Sequence, residues 1–170
     1  MSRRIRVLMI FPRFNPHSFW SYEGAVEVLG AKYPAAPLGM ITLAALLPAE
    51  WDIRLINRNT EALEEHDLDW PDMVMTGGML SQQNDALALI ERCRARNLPV
   101  VVGGPDATSS PHIYDRADFQ VLGEVEDIIV DFIAAWERGE RHGRFTAPRF
   151  QVNVTKTPIP RFDLLKFKDY

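Results

Sequence analysis

Two apolar, β-branched runs in this chain each end on a pair of glycines: Met73-Val-Met-Thr-Gly77-Gly78 and Pro99-Val-Val-Val-Gly103-Gly104. A short continuous apolar run reads as a strand buried on both faces, the environment of a parallel sheet. A glycine pair at the carboxyl end of such a strand lets the backbone take φ > 0 and lets a flat ligand approach without meeting a Cβ. Ligands of open α/β sheets sit outside the carboxyl ends of the strands. The two glycine pairs together predict a binding surface on that edge.

Three more runs complete the pattern. Strands are predicted over Arg6–Phe11, Ile53–Asn57, Met73–Thr76, Val100–Val102 and Phe119–Leu122, with helical spacing between them. That alternation predicts an α/β fold with a doubly wound, five-stranded parallel sheet. Gly39–Leu47 reads as a mostly buried helix stopped by Pro48. Asn84–Arg96 is a second, with Ser81 or Asn84 as N-cap and Arg92, Arg94 and Arg96 facing the C-terminal dipole. Pro111–Arg116 fits a short helix, and Glu124–Glu137 repeats apolar residues at i, i+3, i+4 before ending at Gly139. Pro12–Ala36 is a long aromatic- and proline-rich loop with a helix near Glu23–Leu29; loops of this length are commonly lids or binding loops. Residues 1–140 form the α/β domain. From Arg141 the apolar residues become isolated, and 141–170 is predicted as an extended tail, with Pro158-Ile-Pro160-Arg-Phe-Asp lying on a surface.

Composition narrows the partners. A chain of 170 residues with 46% apolar and 25% charged residues suits one globular domain. A net charge of −4 and a pI near 5.6 argue against nucleic acid or an anionic membrane. No apolar stretch approaches the ~18 residues of a membrane span. The basic-then-apolar start, Met1-Ser-Arg-Arg-Ile, breaks at Pro12-Arg13, short of the ~7–15 apolar residues of a signal peptide. It is read as the first strand of a cytoplasmic protein. Cys93 is the single cysteine and provides neither a disulfide nor a metal cluster.

Several ligand classes fall away. The chain has no Gly-x-Gly-x-x-Gly, no Gly-x4-Gly-Lys-Ser/Thr and no Gly-x-Ser-x-Gly. The end of the first strand is Phe11-Pro-Arg13 and lacks the carboxylates of a phospho-acceptor receiver. What remains is a bulky ligand that uses the tops of several strands together. Four ordered pieces then resemble the cobalamin-binding domains that precede radical S-adenosylmethionine (SAM) domains, in particular the hopanoid C2-methylase-like group. They are Phe11-Pro-Arg-Phe-Asn15-Pro16, Pro37-Leu38-Gly39-Met-Ile-Thr, Gly103-Gly104-Pro105 with Thr108 and Pro111, and Val121-Leu-Gly123-Glu124-x-Glu126. The stretch Pro158–Leu165 with Tyr170 is similar to the linker that leads to the radical SAM barrel.

The resemblance implies a sheet whose strand ends cradle the lower face and nucleotide tail of cobalamin. Ser81 and Gly103-Gly104 would then line the slot for the dimethylbenzimidazole. Gly77, Gly78 and Gly123 would offer backbone amides to phosphate or ribose oxygens. Asn15, Pro37, Leu38, Gly39 and Pro105 carry over as cofactor-contacting positions. Glu124 would favour a helix dipole or accept from a ligand hydroxyl. The implied parent is a B12-dependent radical SAM methyltransferase in which this domain positions methylcobalamin. The chain lacks Cys-x3-Cys-x2-Cys, so a [4Fe–4S] cluster and SAM would belong to a separate catalytic domain, its partner in cis or in trans. A stand-alone corrinoid or tetrapyrrole sensor or carrier is the other reading.

The cobalt-ligating Asp-x-His-x-x-Gly of the methionine-synthase branch is replaced by Asn15-Pro-His17-Ser18. His17 is accordingly either a lower ligand or a loop histidine. The aromatics Phe14, Phe19, Trp20, Tyr22 and Tyr33 either cap a corrin ring or form a satellite cluster, and an exposed apolar patch there would mark a docking surface. His112 is a candidate neighbour of the slot, whereas His66, His142 and the Glu61–Asp69 acidic cluster read as solvated.

Overall fold

All five predicted strands form, and a sixth joins them. The computed structural model describes residues 4–148 and 150–170; the basic start Met1–Arg3 lies outside them. Strands β1 (Arg6–Phe11), β2 (Asp52–Asn57), β3 (Met73–Gly77), β4 (Val100–Gly103), β5 (Phe119–Leu122) and β6 (Gly143–Thr146) make one sheet in the order β2-β1-β3-β4-β5-β6. Every pairing is parallel. The helices are α1 (Glu23–Leu29), α2 (Leu38–Leu46), α3 (Gln83–Arg94), α4 (Gly104–Ser109) and α5 (Ile129–Glu137).

The continuous apolar runs are buried on both sides because the sheet is covered on both sides. Along β1, Val7 and Met9 join a cluster with Met75, Val101, Val121, α2 and α5. Leu8 and Ile10 point the other way, into a cluster with Val74, Val100, Val102, α3 and α4. Cys93 on α3 is part of that second cluster, and burial pushes its thiol up to about 12.

The expectation of five strands is corrected to six. Gly143-Arg-Phe-Thr falls in the expected tail because only Phe145 in it is large and apolar. The strand alternates half-buried and exposed residues at the edge of the sheet, where a continuous apolar run is not required. Arg144 faces outward and donates to Asp115 at 2.8 Å, while Phe145 packs on the first cluster.

Helix ends also differ from expectation. Neither Ser81 nor Asn84 caps α3: a 3-10 turn over Leu80–Gln82 runs straight into it, and Gln82 stands at the cap position without a capping bond. Pro111–Tyr114 is a 3-10 turn, and the helix expected from Glu124 begins at Ile129 after a turn over Val125–Asp127. Helix α4 adds to the expected elements; Pro105 sits in its first turn, where no donor is needed.

After β6 the chain turns back over the domain. Ala147 donates to Leu122 O at 2.9 Å and Arg161 to Ile41 O at 2.9 Å. Asp169 O accepts from Lys32 N and Tyr33 N at 3.0 and 3.1 Å.

Candidate functional site

The strand order places β1 between β2 and β3, so the connections leaving β1 and β3 diverge from a topological switch point. A cavity of about 380 Å³ opens there, at the carboxyl edge between the sheet and helices α2 and α5. Met75, Val101 and Val121 form its floor, Met40 and Leu43 of α2 and Ile129 of α5 its sides. The volume suits a small ligand or one end of a large one. A wider groove of about 790 Å³ lies at the opposite edge of the sheet, but its carboxylates are already engaged. There Asp118 accepts from Val100 N at 2.8 Å and Asp72 from Arg6 N at 2.9 Å.

Nine of the predicted site residues come together around the cavity. Pro37, Leu38 and Gly39 enter it from the start of α2. Gly77 and Gly78 come from the end of β3, Gly103, Gly104 and Pro105 from the end of β4, and Gly123 from the end of β5. The glycines serve first as packing points between these ends. A Cβ on Gly77 would strike the Gly103 carbonyl, and one on Gly103 would lie 2.7 Å from Val121 O. Gly104 has φ +85°, and its Cβ would lie 3.1 Å from Gly78 N. The space that the missing side chains leave is therefore filled by this chain's own backbone. The cavity edge is bare main chain as a result. One of these amides is already in use, Gly123 N donating to Thr108 Oγ1 at 2.9 Å, and the Gly78 carbonyl accepts from Asp106 N at 3.1 Å.

Asn15, Ser81 and Glu124 stand beside the cavity, outside its lining. Asn15 closes a turn, its Oδ1 accepting from His17 N at 2.9 Å, and its own N donates to Ser81 O at 2.8 Å. Ser81 thus sits between two lining residues, Met79 and Gln82, and its Oγ is buried with no hydrogen-bond partner. Glu124 accepts from Val152 N at 3.3 Å and so holds the C-terminal segment. His17 and His112 are exposed. Among the described residues, no group of His, Cys, Asp and Glu could hold a metal ion.

The aromatic loop forms a cluster of its own. Phe14 is buried and stacks on Tyr33 with centroids 5.6 Å apart, and Tyr22 meets Tyr33 edge-on at 6.1 Å. Burial, with a smaller push from Tyr22, raises the Tyr33 hydroxyl above its ordinary range. Phe19 packs on Trp20 and Tyr22 yet remains 81% exposed.

Three polar residues near the site carried no sequence signal. Gln82 is fully buried, lines the cavity, donates to Pro12 O at 2.6 Å and accepts from Met79 N at 3.0 Å. Thr76 donates to Ile10 O at 2.9 Å and ties β3 to β1 at the cavity floor. Asp106 is buried at the start of α4, accepting from Tyr114 Oη at 2.6 Å and from Gln83 Nε2 at 2.8 Å. Burial first, and then that bond to Asp106, raise the Tyr114 hydroxyl.

Comparison with known proteins gives three relatives and one family. A family model described as a B12 binding domain matches residues 25–133. The chain is 42% identical over 168 residues to an uncharacterized methyltransferase of Synechocystis sp., covering 98% of this chain and 31% of that protein. It is 30% identical over 172 residues to the hopanoid C-2 methylase of Rhodopseudomonas palustris, covering 97% of this chain and 32% of the relative. An uncharacterized methyltransferase of Pyrococcus horikoshii is 30% identical over 175 residues, covering 87% of this chain and 38% of the relative. The chain thus spans about a third of the length of these relatives. No solved structure matches it.

Proposed function

The chain belongs to the B12-binding domain family, and from that premise we propose that the carboxyl-edge cavity receives the nucleotide end of cobalamin in a B12-dependent radical SAM methyltransferase. The observation that carries the proposal is the buried, unpartnered Ser81 Oγ beside a cavity of about 380 Å³ with a main-chain rim. A buried hydroxyl without a partner costs about 1–3 kcal/mol, which a ligand with an acceptor at that point would recover. The residues present fit the group: an apolar floor for a flat heteroaromatic ring, a main-chain rim, and a buried, unpartnered hydroxyl beside them. Asn15 holds Ser81 through a main-chain hydrogen bond. Leu38, 56% exposed at the mouth, provides an apolar edge for the lower face of a macrocycle. Once bound, cobalamin supplies the transferable methyl group on cobalt.

The methyltransferase context rests on the names of the relatives, and radical chemistry on the resemblance to domains that precede radical SAM domains. The [4Fe–4S] cluster and SAM are assigned to a separate domain, because Cys93 is single and buried. His17, exposed and held by Asn15 through its backbone, is assigned no bond to cobalt. Equilibrium dialysis against hydroxocobalamin tests the reading, with one-to-one retention expected. Ser81→Ala should weaken retention about tenfold, at the upper end of one neutral hydrogen bond, without loss of thermal stability. His17→Ala should leave the EPR spectrum of the Co(II) form unchanged. No retention of any corrinoid by the intact chain would sink the proposal.

A further inference from the structure

Carboxamides link the C-terminal segment to the cavity wall in an unbroken series. Tyr170 Oη accepts from Asn57 Nδ2 at 2.9 Å, at the last residue of β2. Asn57 Oδ1 accepts from Asn59 N at 3.0 Å and Asn59 Nδ2 at 2.9 Å. Asn59 then holds the end of β1 from both sides, donating to Pro12 O at 3.1 Å and accepting from Phe14 N at 3.0 Å. The same Pro12 carbonyl accepts from Gln82 Nε2, and Gln82 Oε1 holds Met79 N. Gln82 and Met79 line the cavity.

A second tether runs beside the first. Asp169 is buried, pairs with Lys32 Nζ at 2.9 Å, and through its carbonyl binds Lys32 N and Tyr33 N. Tyr33 stacks on Phe14, and its loop leads into Pro37-Leu38-Gly39 of the cavity wall. Both tethers start from Asp169-Tyr170; the first ends on the cavity-lining Met79 and Gln82, the second on Tyr33, whose loop runs on into the cavity wall. Asn57 and Gln82 are buried, so breaking one of their bonds would leave a desolvated donor or acceptor.

We propose that Gln82, Asn59 and Asn57 are positioning residues, which with Tyr170 and Asp169 make the C-terminal segment a strap that holds the cavity in its binding shape. The strap is a property of the polypeptide alone; only its effect on corrinoid retention rests on the functional reading above. Segments joined this way should report on one another's integrity across the domain. A residue that merely filled space would disturb its immediate neighbours only.

The test is hydrogen–deuterium exchange on the intact chain, paired with hydroxocobalamin dialysis. Tyr170→Phe removes one acceptor at the far end of the series. Amide exchange at Met79–Gln82 should rise about fivefold, the factor lost with one neutral hydrogen bond. Gln82→Leu should in turn speed exchange at Asn59–Thr60, and Gln82→Glu, which keeps the acceptor for Met79 N, should slow Met79 again. If Gln82→Leu does not fold, the pair Tyr170→Phe and Asp169→Asn reads the same propagation from the other end. Exchange altered only within residues 166–170 and at Asn57 would overturn the strap. Propagated exchange together with weakened retention supports it. Propagated exchange in a chain that retains no corrinoid supports the strap and overturns the functional reading alone.

Discussion

Gly104 separates two explanations of the paired glycines. The sequence suggests that they open a path for a ligand, whereas in the structure the missing Cβ of Gly104 faces Gly78 N across the β3–β4 junction at φ +85°. Gly104→Val should therefore lower unfolding stability by about 2 kcal/mol or more, through left-handed backbone strain and displacement of the Gly78 turn. A urea titration that finds the variant as stable as the parent would restore the ligand-path explanation. Placing glycines at this edge needs only local sequence, because a strand run followed by Gly-Gly is a pattern over six residues. Their neighbours are less legible. That Ser81 Oγ lacks a partner, or that Gln82 faces inward, depends on where the end of β1 passes, and no local pattern of Ser or Gln encodes that.

At the level of elements, legibility follows burial. Strands β1, β3, β4 and β5 are covered on both faces, so their apolar runs are continuous and their bounds agree with expectation to within a residue. Strand β6 has one covered face and a polar outward row, and Gly-Arg-Phe-Thr does not differ from the loop sequence around it. Its attachment is still specific: Phe145 meets Phe132 edge-on at 6.1 Å and closes the end of the first cluster. Phe145→Ala should cost about 2 kcal/mol, below the 3–5 of a fully buried Phe because the ring is only partly covered. Thermal melts would check this. A change under about 0.5 kcal/mol, the range of an ordinary surface substitution, would mean that β6 is not part of the cooperative fold. The short helix α4 is illegible in the sequence for another reason. Gly-Pro-Asp-Ala-Thr-Ser has no apolar period, and the helix is held by Asp106 N reaching Gly78 O and by Tyr114 Oη reaching Asp106.

Across the whole molecule, the least legible contacts are those between distant parts of the chain. Tyr170 and Asn57 are 113 positions apart, Gln82 and Pro12 70. Their pairing follows from the strand order, which brings the carboxyl ends of β1, β2 and β3 together. The Lys32–Asp169 pair gives this arrangement a pH signature. The Lys32 ammonium lowers the Asp169 carboxyl below its usual range, so the pair's contribution is complete above the unfolded-state pKa of about 3.9. It is lost as pH falls through the lower folded-state value. The stability difference between the parent and Asp169→Asn should therefore be constant above about pH 5 and close below about pH 4. A difference that persists unchanged in acid would remove the ion pair as its cause. Among the described residues, no helix is long and apolar enough to cross a membrane.

Tyr170 is fastened to the last residue of β2, on the edge of the sheet where the cavity opens. Any polypeptide joined to it, natural or engineered, starts its path on that side. A module carried on a short flexible leash from this point would meet the cavity mouth at an effective concentration on the order of millimolar. Even a weak intrinsic affinity would then suffice for frequent visits. In such a fusion the length of the leash, more than any added contact, would set how often the joined module reaches the cavity edge.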